Sequence, residues 1–254
     1  MTAAAEAVED ALPFPTIIAD PTSTPTPEPV PPTAPDRTPS FDWHALIEPD
    51  RWDQVPADVP DLLALLARAD LYVQDEVDIR LHPTLTRCWS PKGHTGQRLV
   101  RAPGQSSKIV GFAAIDWRTG WLSYGFALGR TADAYCRQLD HLVTRSQERG
   151  RIALVLADNL GIHTPARSKK LRETLATHGD RLHLVYTPAY DPEANPTERF
   201  WRPFRHDVTH NHRRDNLYDL QIDALNHFLH RDGDPNTVLR EIGSPFVRDD
   251  QAAA

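Results

Sequence analysis

Apolar and polar residues alternate from Leu71 to Leu81. Leu71, Val73, Val77, Ile79 and Leu81 fall on one side, and Tyr72, Gln74, Glu76, Asp78 and Arg80 on the other. That period of two is the signature of a strand. Asp75 breaks it by standing on the apolar side, where a lone carboxylate is costly unless it is paired or binds a cation. Turn formers (Pro91, Gly93, Gly96, Pro103, Gly104) separate this strand from a second, Lys108 to Asp116, and Thr119-Gly120 turns the chain into a third, Trp121 to Leu128. The tight connection predicts a hairpin, with strands one to three antiparallel. Thr131 is placed to cap a helix through about Gln147, on which Tyr135, Leu139, Leu142 and Val143 recur at helical spacing. Ile152 to Ala157 is a continuous apolar run, as in a strand covered on both faces, and Asp158 ends it.

His163 and Thr164 lead into a predicted helix through about Thr177, and Leu182 to Thr187 reads as a fifth strand. Beyond it the run Pro188-Ala189-Tyr190-Asp191-Pro192-Glu193-Ala194 is a proline-stiffened loop, followed by an abrupt helix start. Asn195 suits the N-cap, Pro196 the first helical position, and Glu198 falls at the third. The local role open to Glu198 is a capping box, reaching back to the Asn195 amide. A last helix, Leu217 to about Leu229, carries Leu220, Leu225, Phe228 and Leu229 for packing on the domain or on a second subunit.

The order strand-strand-strand-helix-strand-helix-strand-helix predicts an α/β fold. Its mixed five-stranded sheet has three antiparallel strands, then two parallel ones, with helices on both faces. In such sheets sites form at strand ends where connections diverge. Asp75 lies in the first strand, Asp158 at the end of the fourth, and Glu198 opens the helix after the fifth. Three carboxylates on separate rigid elements suit hard divalent cations. Two such ions about 4 Å apart can stabilise both the attacking and the leaving oxygen of an in-line phosphoryl transfer.

Charge changes the picture only when it is divided along the chain. The net charge is −7, but residues 1–70 hold 13 Asp/Glu and 3 Lys/Arg, so residues 71–254 carry 22 acidic and 25 basic side chains, a net of +3. An overall acidic chain therefore does not argue against a DNA partner. Residues 1–40 hold 10 of the 23 prolines and read as a disordered, acidic, proline-rich tail. Residues 41–70, with Phe41, Trp43, Leu46, Ile47 and Trp52, read as a docking segment. The folded domain is expected over 71–230, with a C-terminal extension over 231–254 that frays from Asp249. Neither a signal peptide nor an apolar run of the ~20 residues that span a bilayer is visible. Cys88 and Cys136 lack a CxxC spacing, and a reduced chain in the cytoplasm is the simplest expectation.

The element order resembles the RNase H-like core of the DDE transposases, and the local motifs resemble the bacterial insertion-sequence branch of the mariner superfamily, over about Tyr72 to Asp219. Gln74-Asp75-Glu76 resembles the first-strand acid, Leu156-Ala157-Asp158-Asn159 with His163 the second-acid motif, and Asn195-Pro196-Thr197-Glu198 before Phe200-Trp201 the third. The resemblance implies metal-dependent DNA cleavage and strand transfer in DNA transposition. Asp75, Asp158 and Glu198 would then be the catalytic ligands of two Mg2+ or Mn2+ ions, with Asp75 bridging both. It also implies transposon ends and target DNA as partners, a homodimer on DNA, and work at the nucleoid. Thirty-nine residues lie between Asp158 and Glu198, more than the family usually shows, and the extra length falls around Ser168 to Arg181. Residues 1–70 are too proline-rich and too poor in basic residues for the helix-turn-helix domains such transposases carry, so the DNA-reading half is expected to be separately encoded or lost. The alternatives are a structure-selective nuclease of the same fold and a silent DNA-binding remnant.

Arg202 and Arg205 follow Glu198 at i+4 and i+7 and are candidate phosphate contacts, with Pro203 between them able to kink the helix. Lys92, Arg98, Arg101 and Lys108 around the glycine-rich loop are candidates for the DNA path. Asn159 and His163 stand where they can orient a ligand or a phosphate. Glu76 and Glu193 are rivals for the acidic roles, ranked lower because Glu76 points to the opposite strand face and Glu193 lies in the loop. His206, His210 and His212 read as a solvated or DNA-facing patch rather than a zinc site, since only the first two share a helix face and no cysteine is near.

Overall fold

The computed structural model describes residues 67–93, 100, 107–187 and 195–248. The proline-rich tail, the docking segment up to residue 66, Arg98, Arg101, Glu193 with the loop 188–194, and the end of the chain from residue 249 lie outside the described residues. The chain divides into two units, Met1–Ser40 and Phe41–Ala254, and every described residue belongs to the second.

Five strands form one sheet: β1 (Ala69–Arg80), β2 (Lys108–Asp116), β3 (Leu122–Ala127), β4 (Ile152–Ala157) and β5 (Leu182–Tyr186). Their spatial order is β3-β2-β1-β4-β5. The two meander pairings are antiparallel, and β4 and β5, each reached through a helical crossover, run parallel to β1. The short turn between β2 and β3 can only return antiparallel, whereas β4 and β5, as parallel neighbours, need their helical crossovers. At the β2–β3 turn Gly120 adopts φ +71°, and a methyl group there would lie 2.2 Å from the Pro235 carbonyl oxygen. Only glycine fits both demands.

One face is covered by α1 (Ala132–Glu148) and α2 (Lys169–His178), the other by α3 (Thr197–Phe204), α4 (Leu217–Asp232) and α5 (Pro235–Ile242). Leu139 and Leu142 of α1 pack onto Tyr72, Phe112 and Val155 of the sheet, all buried. On the opposite face Phe200, Trp201, Phe204 and Phe228 form an aromatic cluster, with Phe228 stacked 5.2 Å from Phe204. Phe228 also meets Tyr124 and Phe126 of β3, which seats α4 on the meander. Residues beyond 230 are part of this packing, since α5 buries Val238, Leu239 and Ile242, and Ser244 Oγ donates to the Trp117 carbonyl.

The polar side of β1 is covered like the other: Tyr72, Gln74 and Glu76 are buried beneath α1, where Tyr72 bonds Ser146 and Gln74 bonds Gln138. Alternation marks two faces, and here a helix covers both. The second helix begins at Lys169, capped by Ser168, rather than at His163–Thr164. The turns before it carry His163 into the interior. On α4, Phe228 is buried but Leu229 is exposed.

Candidate active site

The parallel register of β1 and β4 ends with Val73 beside Leu156. Two residues further along each chain stand Asp75 and Asp158, so the pairing that builds the sheet centre delivers both aspartates to one end of it. Glu198 arrives from α3. The Asn195 side chain sets that helix start: Oδ1 accepts from the Thr197 N–H at 3.1 Å and from its hydroxyl at 2.6 Å, and Nδ2 donates to the Gln74 carbonyl at 2.9 Å. Pro196 already has helical dihedrals, φ −58° and ψ −22°. Asn195 therefore caps the helix and also ties it to β1 beside Asp75. Glu198 closes no capping box with Asn195. Its carboxylate points outward to Arg205, whose Nη1 lies 3.1 Å away.

Asp75, Asp158 and Glu198 line a single open cleft of about 500 Å3, together with Glu76, Arg130 and Arg205. Asp75 Oδ2 accepts from the Trp201 indole at 3.0 Å and Oδ1 from the Glu76 N–H at 2.8 Å. Burial, together with the neighbouring Glu76 and Glu198 carboxylates, pushes the Asp75 carboxyl up to about 7 against those two hydrogen bonds. Asp158 and Glu198 are half-open, their side chains 45% and 39% exposed. Burial opposes the charge on Asp158, but a hydrogen bond from His163 and one from the Leu160 N–H hold its carboxyl below the usual range. Burial likewise disfavours a charged His163, yet its bonds to Asp158 and Glu76 win and lift the ring to about 9.

The remaining sequence candidates divide. Arg205 lies in the cleft: Pro203 lacks the N–H to continue the helix, and the chain widens into a π-turn over Arg205–Thr209 without carrying Arg205 away from Glu198. Arg202 is exposed and is not among the cleft-lining residues. Lys108 pairs with Asp78 at 3.2 Å, on the residue that also receives Arg80 and Arg130. Lys92 is exposed and lies outside the lining. The Asn159 amide donates to the Thr187 carbonyl, joining the exits of β4 and β5. His206, His210 and His212 line a second cleft with Arg87, Arg213 and Arg214. Arg130 escaped the sequence reading. Its guanidinium sits 2.9 Å from Asp78 and 4.0 Å from Glu76, and the only local signal was its place just before the Thr131 cap.

Among the described residues no three His, Cys, Asp or Glu side chains converge into a ready-made chelate. Each of the three acids is turned toward a protein donor, Asp75 to Trp201, Asp158 to His163 and Glu198 to Arg205.

Residues 70–221, more than half of the chain, match the family described as DDE superfamily endonuclease. The chain belongs to that family. A relative of this DDE endonuclease, an uncharacterized 39 kDa protein of insertion element IS630 from Shigella sonnei, is 27% identical over 165 residues, which are 64% of this chain and 45% of the relative. The crystal structure of the Mos1 strand transfer complex matches with a TM-score of 0.51 at 18% identity, over 84% of this chain and 62% of that one. A pre-cleavage Mos1 transpososome gives 0.50 at 20% identity, over 68% and 52%. The chain thus spans between just under half and about three-fifths of the length of these relatives. The fold of this DDE endonuclease domain is the RNase H-like one, and the insertion-sequence resemblance drawn from its acidic motifs agrees with the IS630 relative.

Proposed function

We propose that this chain is the catalytic part of an insertion-sequence transposase, cutting element ends and joining them to target DNA. The observation that carries the reading is the convergence of Asp75, Asp158 and Glu198, from three separate elements, on one open cleft. Their chemistry fits divalent metal. All donors are hard oxygens, and Asp75 is held near neutrality by burial and by adjacent carboxylates, a repulsion that bound dications relieve. Asp75, Asp158 and Glu198 would together hold two Mg2+ or Mn2+ ions in this cleft. When bound, two such ions activate the attacking hydroxyl and stabilise the leaving 3′ oxygen of an in-line phosphoryl transfer.

The chain's own groups prepare that site. Trp201 holds one oxygen of Asp75 and fixes its rotamer. Arg205, now paired with Glu198, would become available to a DNA phosphate if Glu198 served as a metal ligand. Arg130, at the rim, offers a planar guanidinium for a second phosphate contact. Lys92, Lys108 and Arg202 lie further out as candidate backbone contacts. The partners are transposon ends and target DNA, engaged at the nucleoid by a homodimer, with end recognition supplied by a helix-turn-helix half.

Incubating the full chain with DNA carrying the element's ends tests this. Mg2+- or Mn2+-dependent nicking followed by joined products is expected, with Asp75→Asn, Asp158→Asn and Glu198→Gln each inactive. Nicking without joining identifies a nuclease instead. Three variants that cut as well as the parent overturn the site.

A further inference from the structure

Residues 75 and 76 are consecutive on β1 and point to opposite sides of the sheet. Asp75 faces the cleft. Glu76 lies beneath α1 with its side chain only 2% exposed. Its Oε1 accepts from Gln74 Nε2 and from His163 Nε2, both at 2.8 Å, and Arg130 stands 4.0 Å from Oε2. His163 is fully buried, and its other ring nitrogen lies 2.5 Å from Asp158 Oδ1. Its ring packs at 4.3 Å against Tyr135, and its backbone carbonyl accepts from the Tyr186 hydroxyl at 2.6 Å. The imidazole is thus packed against Tyr135 and held at both nitrogens, each of which faces a carboxylate oxygen, so the ring donates on both sides.

We infer that Glu76 is a positioning residue for Asp158, acting through His163. Resting on the reading of Asp158 as a metal ligand, this assigns both aspartates of the site to one strand: β1 presents Asp75 directly and aims Asp158 through Glu76 and His163. Stability alone does not account for the arrangement, because a buried carboxylate is costly even when hydrogen-bonded, and an apolar side chain would fill the space under α1 at lower cost. Asp158, by contrast, needs such a support. It stands just beyond the last residue of β4, half exposed, where the Leu160 N–H meets the same Oδ1 as His163 and its other oxygen is left for a ligand. Groups that orient a ligand in this way typically change metal affinity or activity by 10- to 100-fold when lost.

The test is Mn2+ affinity by electron paramagnetic resonance, with nicking of end-containing DNA, on the full chain. Glu76→Leu should fold, as judged by metal-free thermal unfolding, yet bind Mn2+ about 10- to 100-fold more weakly and nick correspondingly less at fixed Mn2+. Glu76→Gln should restore most of that loss, because its amide can donate to His163 Nε2 while Nδ1–H still reaches Asp158. His163→Asn, whose amide can occupy the Nδ1 position, should retain more affinity than His163→Gln, whose amide cannot. The His163 Nδ1 proton should resonate far downfield in the parent and in Glu76→Gln, and disappear from that region in Glu76→Leu. A folded Glu76→Leu that matches the parent in Mn2+ affinity overturns the inference and leaves the proposed function standing. A parent that binds no Mn2+, with Asp158→Asn indistinguishable from it, overturns the proposed function and the inference together.

Discussion

Asn195 Nδ2 reaches from the start of α3 to the backbone carbonyl of Gln74, 2.9 Å away and 121 positions earlier in the chain. The same side chain caps the helix through Thr197. One amide therefore sets both where the helix begins and where it stands against β1, and Glu198 is carried with it. Asn195→Ala should destabilise the domain by about 1–3 kcal/mol, the combined loss of a cap and of a buried hydrogen bond. Nicking should fall by more than the unfolded fraction explains. Asn195→Asp keeps the cap acceptor but sets a carboxylate against the Gln74 carbonyl, so it should restore little. Thermal unfolding and nicking measured on the same samples check both.

Asp75 should destabilise the metal-free domain. Its carboxyl is raised from an ordinary 3.8 to about 7 by burial and by its carboxylate neighbours. The unfolded chain releases that proton first, so Asp75 costs stability increasingly as pH rises from about 4 to 7, and the cost stays in full above 7. Asp75→Asn should raise the unfolding temperature in chelator at pH 8, by about 1–3 kcal/mol in stability, and lose the advantage below pH 4. Mg2+ should stabilise the parent and not the variant. A variant no more stable than the parent at pH 8 would contradict the charge repulsion described here.

Arg205 pairs with Glu198 across a partly exposed gap of 3.1 Å. Exposed pairs of this kind contribute less than about 1 kcal/mol, so Arg205→Ala should leave stability almost unchanged. If the guanidinium meets a DNA phosphate, nicking at fixed DNA should drop about tenfold or more, and the salt dependence of DNA binding should flatten by roughly one contact. Binding isotherms at several salt concentrations distinguish this from a purely structural bridge.

His227 lies on α4 among Phe200, Phe204 and Phe228, with Nδ1 3.3 Å from Asp207. Burial, helped by Arg231, lowers its ring from 6.5 to about 4. The folded state resists protonation, so stability is full above pH 6.5 and falls as pH drops from 6.5 toward 4, by about 2 kcal/mol once solvent screening at the ring is discounted from the roughly 3 kcal/mol of the full shift. His227→Leu should flatten that acid limb in denaturant titrations between pH 7 and 4.

How much of this could be read beforehand depends on the range of the forces involved. Asp75 was conspicuous because alternation is a local property and a carboxylate on the apolar side violates it within a few residues. The helix start at Asn195 was legible for the same reason, although the regular helix begins at Thr197 and the second bond of Asn195, to Gln74, was not. Glu76 was ranked as a lesser rival acid because it points away from Asp75. That orientation is correct, but only the tertiary structure brings His163, 87 positions later, onto it. Arg130 has no local pattern at all, and its role comes from Asp78 and Glu76 standing beside it.

By itself the sequence determined the succession of strands and helices, the split between antiparallel and parallel pairings, and the three acids, one within a strand and two at element boundaries. All of these follow from periodicity, caps and connection length along short stretches of chain. The tertiary structure decided which polar groups are buried and what they touch. Gln74 and Glu76 find their partners Gln138 and His163 only when α1 and the turns after β4 close over them, and the Glu198 carboxylate turns outward to Arg205 instead of back to the Asn195 amide. Burial and partnership depend on atoms brought together across the whole fold, and alternation along a strand cannot distinguish a face covered by water from one covered by a helix.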